Sequence, residues 1–372
     1  MKVNFCMLVL LFCSLFSYGQ SDEEQIRVTI NHYIEGTSYN DVPQINSAFY
    51  EDADLFLDRN GGELWTVTAK DYAQGFEKGE KGKFNGRIGN IIAIDIYGYT
   101  EIAKAEILVA GKKLLFMDMF ILKKINGQWK IVSKAASSKS SNRTGDRVLF
   151  VMSNATHYGT SDLPTGNSFS EIVNAYDVFS KAGYEINFVS PQGGAIPLAY
   201  IQTSEKLEKE YLYNSDFMFS LKTTLEPQKV NPSLYKVIYY VGGGGAMFGV
   251  PENVEIQKIA MTIYEENEGI ISSVCHGTAG IVNLKTKNGD YLVKGKRVNG
   301  YPDSYENREA KYFKYFPFLI QKTIEERGGN FLFSPRNTEH VEADGRLITG
   351  QNFQSAKGVA EKIIETLKLK NN

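Results

Sequence analysis

Two textures of apolar patterning divide the chain. From residue 22 to 136, apolar positions first recur at helical spacing, Ile26, Val28, Ile30, Tyr33 and Ile34 within "DEEQIRVTINHYIEGTSYNDVPQINSAF", which predicts an opening helical segment. "DLFLDRNGGELWTVT" then sets two short runs around an Asn-Gly-Gly turn. Three β-like runs follow, "RIGNIIAIDIYGYTEIAKAEILVAG", "KLLFMDMFILKKING" and "QWKIVSKAAS", and their Gly-Lys and Asn-Gly junctions suit a meander. Helices first and a curved antiparallel sheet afterwards is an α+β order, read here as a cone-like N-terminal domain. "SSKSSNRTGD", residues 137–146, is polar and Ser-rich with no apolar period, the composition of a linker.

From Arg147 the pattern changes to apolar runs alternating with amphipathic stretches. "RVLFVMS", "YEINFVSP", "KVIYYVGGGG" and "GIISSVC" are near-continuous apolar runs, as strands covered on both faces should be. "SFSEIVNAYDVFSKAG", "ENVEIQKIAMTIYEEN", "FKYFPFLIQKTIEERGG" and "SAKGVAEKIIETLKL" read as helices between and after them, and "VEADGRLITG" as a hairpin around Asp344-Gly345. This alternation predicts an α/β three-layer sandwich with a mostly parallel, flavodoxin-like sheet over 147–370.

Composition changes the picture at two points. A formal net charge of −2 with interspersed signs leaves no basic stripe, so no nucleic-acid partner is expected. The opening "MKVNFCMLVLLFCSLFSYGQ" has a short basic start at Lys2, an apolar run from Phe5 to Phe16, and small residues at Ser17 and Gly19. It reads as a signal peptide over 1–19, cleaved near Gly19, since a comfortable transmembrane helix needs roughly 20 apolar residues. The mature chain is then expected to be exported, to a bacterial periplasm or beyond, with no stable membrane insertion.

Export alters the meaning of the cysteines. The chain has three, and Cys6 and Cys13 fall inside the signal segment, which leaves Cys275 with no partner in the mature chain. A lone thiol is either an inert filler or a reactive group. Its setting, "SSVCHGTAG", has the form small-x-nucleophile-x-Gly at the end of an apolar strand, the logic of a nucleophile elbow. At the start of a helix the thiol should also sit below its ordinary pKa. Gly242 to Gly245 end another strand, and backbone amides at Gly243 and Gly244, with that of His276, could form an oxyanion hole. The run lacks the glycine spacing and following acid of a dinucleotide site. His157 lies in a polar loop after the first strand of the second domain and could rim a pocket. Four scattered histidines make no metal cluster, so neither metal nor cofactor is expected.

"SSVCHGTAG", "GGGGAMFGVP", "FSKAGYEINFVSPQGG" and "DGRLITGQNFQSA" together resemble the ThiJ/PfpI superfamily of the class I glutamine-amidotransferase-like fold, in its heat-shock-chaperone-like glyoxalase branch. The resemblance implies a Cys-His-acid triad and a buried glutamate touching the thiol. Cys275 and His276 match the first two, "NGYPDSYE" puts Glu306 in the acid role, and "TGNSFSEIVNAYDVF" gives Glu171 as the buried glutamate. Many relatives carry a histidine where this chain has Gly244. The implied activity is that of a glutathione-independent glyoxalase, a lyase of the D-lactate dehydratase type acting on small reactive aldehydes such as methylglyoxal. Residues 22–136 resemble the nuclear-transport-factor-2-like superfamily in its SnoaL-like and lumazine-binding branches, on "YIEGTSYND…INSAFYEDADLF" and "FILKKINGQWKIVSK", which implies a binding or dimerisation module and allows a homodimer. Its one histidine, His32, is read as a surface or core residue rather than a base, and its acids Asp52, Asp54 and Asp58, which could line a pocket mouth, as solvated loop groups.

Other chemistries stay open on the sequence. The same elbow suits a cysteine peptidase or amidase, and a lone activated thiol suits a redox sensor or a holdase chaperone. His340-Val341-Glu342 has the His-x-Glu spacing of true amidotransferase triads but leads into the hairpin, and no triad role is assigned to it.

Overall fold

The computed structural model describes residues 21–59 and 62–371, so the expected signal segment, with Cys6 and Cys13, lies outside the described residues. The first domain opens with α1 (Asp22–Ser38), whose N-terminus is capped by Ser21 accepting from the Glu24 N–H at 3.2 Å, with three acids in the first turn. The predicted helical segment is in fact two helices. Asn40 takes a left-handed conformation, Asp41 caps the next start, and Pro43 sits in the first turn of α2 (Val42–Ala48). Then come β1 (Phe49–Arg59), β2 (Glu63–Thr68), α3 (Ala69–Gln74), β3 (Arg87–Tyr97), β4 (Thr100–Val109), β5 (Leu114–Ile125) and β6 (Gln128–Ser140). They form one sheet in the order β2-β1-β6-β5-β4-β3.

Three local differences from the sequence reading have physical causes. The isoleucine-rich run expected as one strand folds back at Gly98, φ +60°, to give both β3 and β4. β6 continues to Ser140, so only 141–146 of the expected linker lacks regular structure. In β5 both faces carry apolar residues. Met119 and Ile121 are exposed, while Asp118 is buried and paired at 3.0 Å with buried Lys134 of β6. Tyr33 donates to Asp118 Oδ2 at 2.6 Å, and the Lys134 ammonium lies 5.2 Å from both the Tyr33 and Tyr72 rings, so each member of the charge pair has a further partner.

Contacts group residues up to 85, 94–103 and 118–136 as one compact unit, and 86–93, 104–117 and everything from 137 on as the other; the boundary is not a single point in the sequence.

The second domain is built on β7 (Arg147–Val151). Its sheet runs Val341–Asp344, Leu347–Gly350, Ile270–Val274, Tyr235–Tyr240, β7, Glu185–Val189. All neighbours pair in parallel except the terminal hairpin Val341–Asp344/Leu347–Gly350. One face is covered by α4 (Phe169–Lys181) and the C-terminal helix Ala356–Asn371, which pack Phe169, Ile172, Phe179, Val359 and Ile363 against Phe150 and Tyr239. The other face is covered by the helix Val254–Glu265 through Ile256, Ile259 and Ile263. These are the three layers that the apolar runs predicted. The helix expected over "FKYFPFLIQKTIEERGG" is shorter, Ile320–Glu326, because Pro317 separates it from a 3-10 turn at Phe313–Tyr315. The strands Tyr235–Tyr240 and Ile270–Val274 end side by side, which brings the glycine run and Cys275 to one edge of the sheet.

Glu101 in β4 has a measurable consequence. It is 1 % exposed, neither carboxylate oxygen has a hydrogen-bond partner among the described residues, and burial, then the Asp95 charge, push its pKa up to about 8. The folded state therefore holds this proton more tightly than the unfolded one. The resulting stability is complete below about pH 4.5 and is lost as pH rises through about 8. Both tryptophans, Trp65 and Trp129, lie in the first domain, so tryptophan fluorescence follows its unfolding. Glu101→Gln should flatten the fall in stability between pH 5 and pH 9 and add about 2 kcal/mol at the alkaline end. Equal pH slopes for the two proteins would refute the assignment.

Candidate active site

Cys275 follows the last residue of the strand Ile270–Val274 and begins a 3-10 turn, Cys275–Ile281. Its φ is +54°, a left-handed conformation that costs a non-glycine residue energy and turns the side chain out of the strand direction. Small residues make the turn feasible. A Cβ at Gly277 would lie 2.3 Å from the Tyr240 carbonyl oxygen of the neighbouring strand. Cys275 is 8 % exposed and is the one cysteine among the described residues.

Three groups converge on its sulfur. His276 Nδ1 lies 3.4 Å from Sγ, and His276 Nε2 lies 2.9 Å from Glu306 Oε1. A carboxylate can only accept, so it fixes the proton on Nε2 and leaves the Nδ1 lone pair facing the thiol. Glu306 is carried in by the segment after Asn299. That segment is tied to the elbow by the Tyr301 N–H donating to the Cys275 carbonyl at 3.2 Å, and the Tyr301 ring stacks on the imidazole at 4.5 Å. The third group is Glu171, buried in the first turn of α4 and brought beside Cys275 across Gly242. Its helix is capped by Ser168, whose N–H donates to the Gly242 carbonyl at 2.9 Å, while the Gly242 N–H donates to Glu171 Oε2 at 2.8 Å. A Cβ at Gly242 would lie 2.4 Å from that oxygen and 2.9 Å from the Cys275 Cβ, so the close approach requires glycine.

The electrostatics correct one expectation. The thiol is not lowered. Burial and then the Glu171 charge push it well above its ordinary range, and the hydrogen bond from the His276 backbone N–H offsets this only in part. The turn that begins at Cys275 is a short 3-10 piece rather than an α-helix, so the dipole that was to favour the thiolate is weak. Glu171 is raised by burial to about 7, against the opposing pull of His276 and the Gly242 N–H. The resting pair is therefore a neutral thiol beside a carboxyl that titrates near neutrality.

A cavity of about 350 Å³ opens above the sulfur and is lined by Cys275, His276, Glu171, Glu306, Gly243 and Gly244 together with aromatic side chains. His157 is not part of it: the ring is exposed and hydrogen-bonds Thr156, and its neighbour Tyr158 lines the cavity instead. Tyr158 also occupies the space over Gly244, where a Cβ would come within 2.5 Å of its hydroxyl oxygen. Sequence reasoning missed Tyr158, Tyr200, Tyr301, Tyr312 and Arg336 of the cavity wall; only Tyr301 falls in a quoted motif, "NGYPDSYE", where it was given no role. His340 pairs with Glu342 at 2.8 Å and does not line the cavity. In the first domain His32 hydrogen-bonds Ser47, and Asp52, Asp54 and Asp58 are exposed. Among the described residues no group of three or more His, Cys, Asp or Glu side chains is placed to hold a metal ion.

Comparison with known proteins bears on both domains. Residues 164–366 match the DJ-1/PfpI family model, and residues 21–136 match the model described as "Putative lumazine-binding". Glyoxalase 3 of Candida albicans is 32 % identical over 221 residues, which cover 57 % of this chain and 93 % of that protein. A glutathione-independent glyoxalase of Schizosaccharomyces pombe is 29 % identical, covering 55 % of this chain and 89 % of its own length. Among solved structures, glyoxalase III from Candida albicans superposes with a TM-score of 0.55 at 29 % identity, over 60 % of this chain and 97 % of the other. The Rapid Encystment Protein 24 KDa of Francisella tularensis does so with a TM-score of 0.56 at 28 % identity, over 60 % and 99 %.

The thiol–carboxyl pair predicts a pH profile. Iodoacetamide alkylation of Cys275 should inflect above the free-cysteine value of about 8.5. Glu171→Gln keeps a hydrogen-bonding amide but removes the negative charge, so the inflection should move to lower pH. Identical profiles for the two proteins would show that Glu171 does not act on the sulfur.

Proposed function

The chain belongs to the DJ-1/PfpI family, and from that premise we propose that it is a glutathione-independent glyoxalase converting a 2-oxoaldehyde and water to a 2-hydroxy acid. The observation that carries this reading is the placement of Glu171, across Gly242, beside a thiol already served by a His276–Glu306 relay. Acyl transfer needs one base beside the nucleophile. A proton that must leave one carbon and return to the next calls for a second base near pKa 7, which Glu171 supplies.

The steps balance without an external electron carrier. Sγ adds to the aldehyde carbon as its proton passes to His276 Nδ1 and on to the aldehyde oxygen, giving a hemithioacetal. The Glu171 carboxylate takes the C1 hydrogen as a proton, leaving an enediolate. It returns that proton to C2 while the proton of the C1 hydroxyl passes to the C2 oxygen, giving the thioester of the 2-hydroxy acid. C1 is oxidised and C2 reduced within one molecule. Water, activated by His276, then hydrolyses the thioester and restores the thiol. The backbone at Gly243 and Gly244, on the cavity wall, is where the charge developing on oxygen would be met.

Purified protein should consume methylglyoxal in the absence of glutathione and release lactate. Cys275→Ala should abolish turnover, and Glu306→Gln, which removes the carboxylate that fixes the imidazole tautomer, should lower kcat by about 100-fold or more. Full activity of the Cys275→Ala protein would sink the proposal. We further propose export after removal of residues 1–19. N-terminal sequencing of the protein from a fractionated host should begin near Gln20; an intact Met1 on cytoplasmic protein would contradict it.

A further inference from the structure

The cavity over Cys275 is large for a three-carbon dicarbonyl. At about 350 Å³ it falls in the range of sites for drug-sized ligands, roughly 300 Å³ and upward, and methylglyoxal would leave most of it to water. Its wall is aromatic and ordered. Tyr158 and Tyr312 stack at 4.7 Å with an 18° angle between their planes, and both rings lean on Phe316 at 5.8 and 5.6 Å. Tyr301 lies flat on His276. Tyr200 reaches the cavity from a left-handed backbone, φ +55°, a conformation that the surrounding fold must impose on a non-glycine residue.

The charges are arranged along one direction. The thiol and both carboxyls sit at the floor. Arg336 is the one Lys or Arg among the lining residues, and it stands one tyrosine ring away: its Nη2 donates to the Tyr301 hydroxyl at 3.1 Å, and that ring stacks on His276 at its other end. Its guanidinium lies 5.8 Å from the Tyr305 ring centroid, and no carboxylate among the described residues forms an ion pair with it. This guanidinium is exposed, lines the cavity and spends one Nη2 hydrogen on a phenol, which leaves its other N–H donors for an anion.

From this geometry we infer that the site is built for a 2-oxoaldehyde carried on an aromatic ring whose far end bears an anionic group. The aldehyde carbon meets Cys275, the ring lies against the Tyr158–Tyr312–Phe316 wall, and the anion reaches Arg336. The inference rests on the glyoxalase reading and uses the same balanced steps, with an aryl group in place of methyl.

Steady-state kinetics with methylglyoxal, phenylglyoxal and 4-carboxyphenylglyoxal test it on the full-length protein. The expected order of kcat/KM is methylglyoxal lowest, phenylglyoxal about tenfold higher, and the carboxylated compound higher again by about tenfold at low salt. Arg336→Gln should erase the advantage of the carboxylated over the plain aryl substrate, and raising ionic strength should shrink it in the wild type. Tyr312→Leu should narrow the gap between aryl and methyl substrates. Turnover of methylglyoxal at an efficiency equal to the aryl compounds, or a carboxylate advantage that survives Arg336→Gln, overturns this inference and leaves the glyoxalase reading standing. Turnover of none of the three overturns both.

Discussion

A carboxyl group buried beside a buried thiol is the constraint around which the second domain is arranged. Glu171 has almost no contact with solvent, and an isolated carboxylate there would be costly. The fold offsets this with one backbone donor, the Gly242 N–H, and with a pKa that leaves the group largely protonated up to neutrality. That single hydrogen bond has long-range requirements. It needs residue 242 without a Cβ, it needs α4 to begin at Phe169, and it needs the strand ending at Val274 to lie beside the one ending at Tyr240. Three chain segments separated by up to a hundred residues are thus located by one carboxyl oxygen. The left-handed Cys275 completes the arrangement by turning its sulfur toward that oxygen instead of into the sheet.

How much of this was legible in the sequence depends on whether the signal is local. The parallel sheet was, because doubly covered strands must be continuously apolar. The elbow was, because a tight strand-to-turn junction needs the small residues of "SSVCHGTAG". Glu171 was reached only through family resemblance, and the reason is physical. "SFSE" spells a capping box, in which the glutamate would turn back to its own helix start. Here the Ser168 N–H is taken by Gly242, and the glutamate is released to the thiol. His157 and Tyr158 show the same limit at the scale of one residue. Both are plausible rim groups in a polar loop, and only the tertiary path decides that the histidine faces water while the tyrosine faces the cavity.

The first domain was legible as helices followed by a meander, but its interior was not. In β5 Met119 and Ile121 face out while Asp118 shares the inner face with Phe120 and Leu122, so both faces of the strand are apolar and alternation does not tell them apart. The pattern fails because Asp118 and Lys134 satisfy each other, with Tyr33 supplying the remaining hydrogen bond. Glu101 lacks such a partner and can be buried only as the neutral acid. A sequence contains no mark that distinguishes a paired inward charge from a solvated outward one.

A raised thiol pKa looks at odds with the nucleophilic role proposed for Cys275, and the position of His276 bears on that conflict. With Cys275 pushed well upward and Glu171 raised to about 7, the resting thiol is neutral and the carboxyl beside it is shared between its two forms at neutral pH. A free thiolate would be the reactive form toward oxidants and alkylating agents alike. A neutral thiol is poorly reactive toward either until a base accepts its proton, and the base, His276 Nδ1, is already 3.4 Å away. An aldehyde can take the sulfur and return that proton to its own oxygen, so no separated charge need persist in the buried site. Glu171, raised by burial to about 7, is ionised in a substantial share of molecules at neutral pH, and in that form it can serve as the base for the step the proposed reaction takes after the C–S bond. The same burial thus suppresses the thiolate at rest and brings the neighbouring carboxyl into the range of a general base.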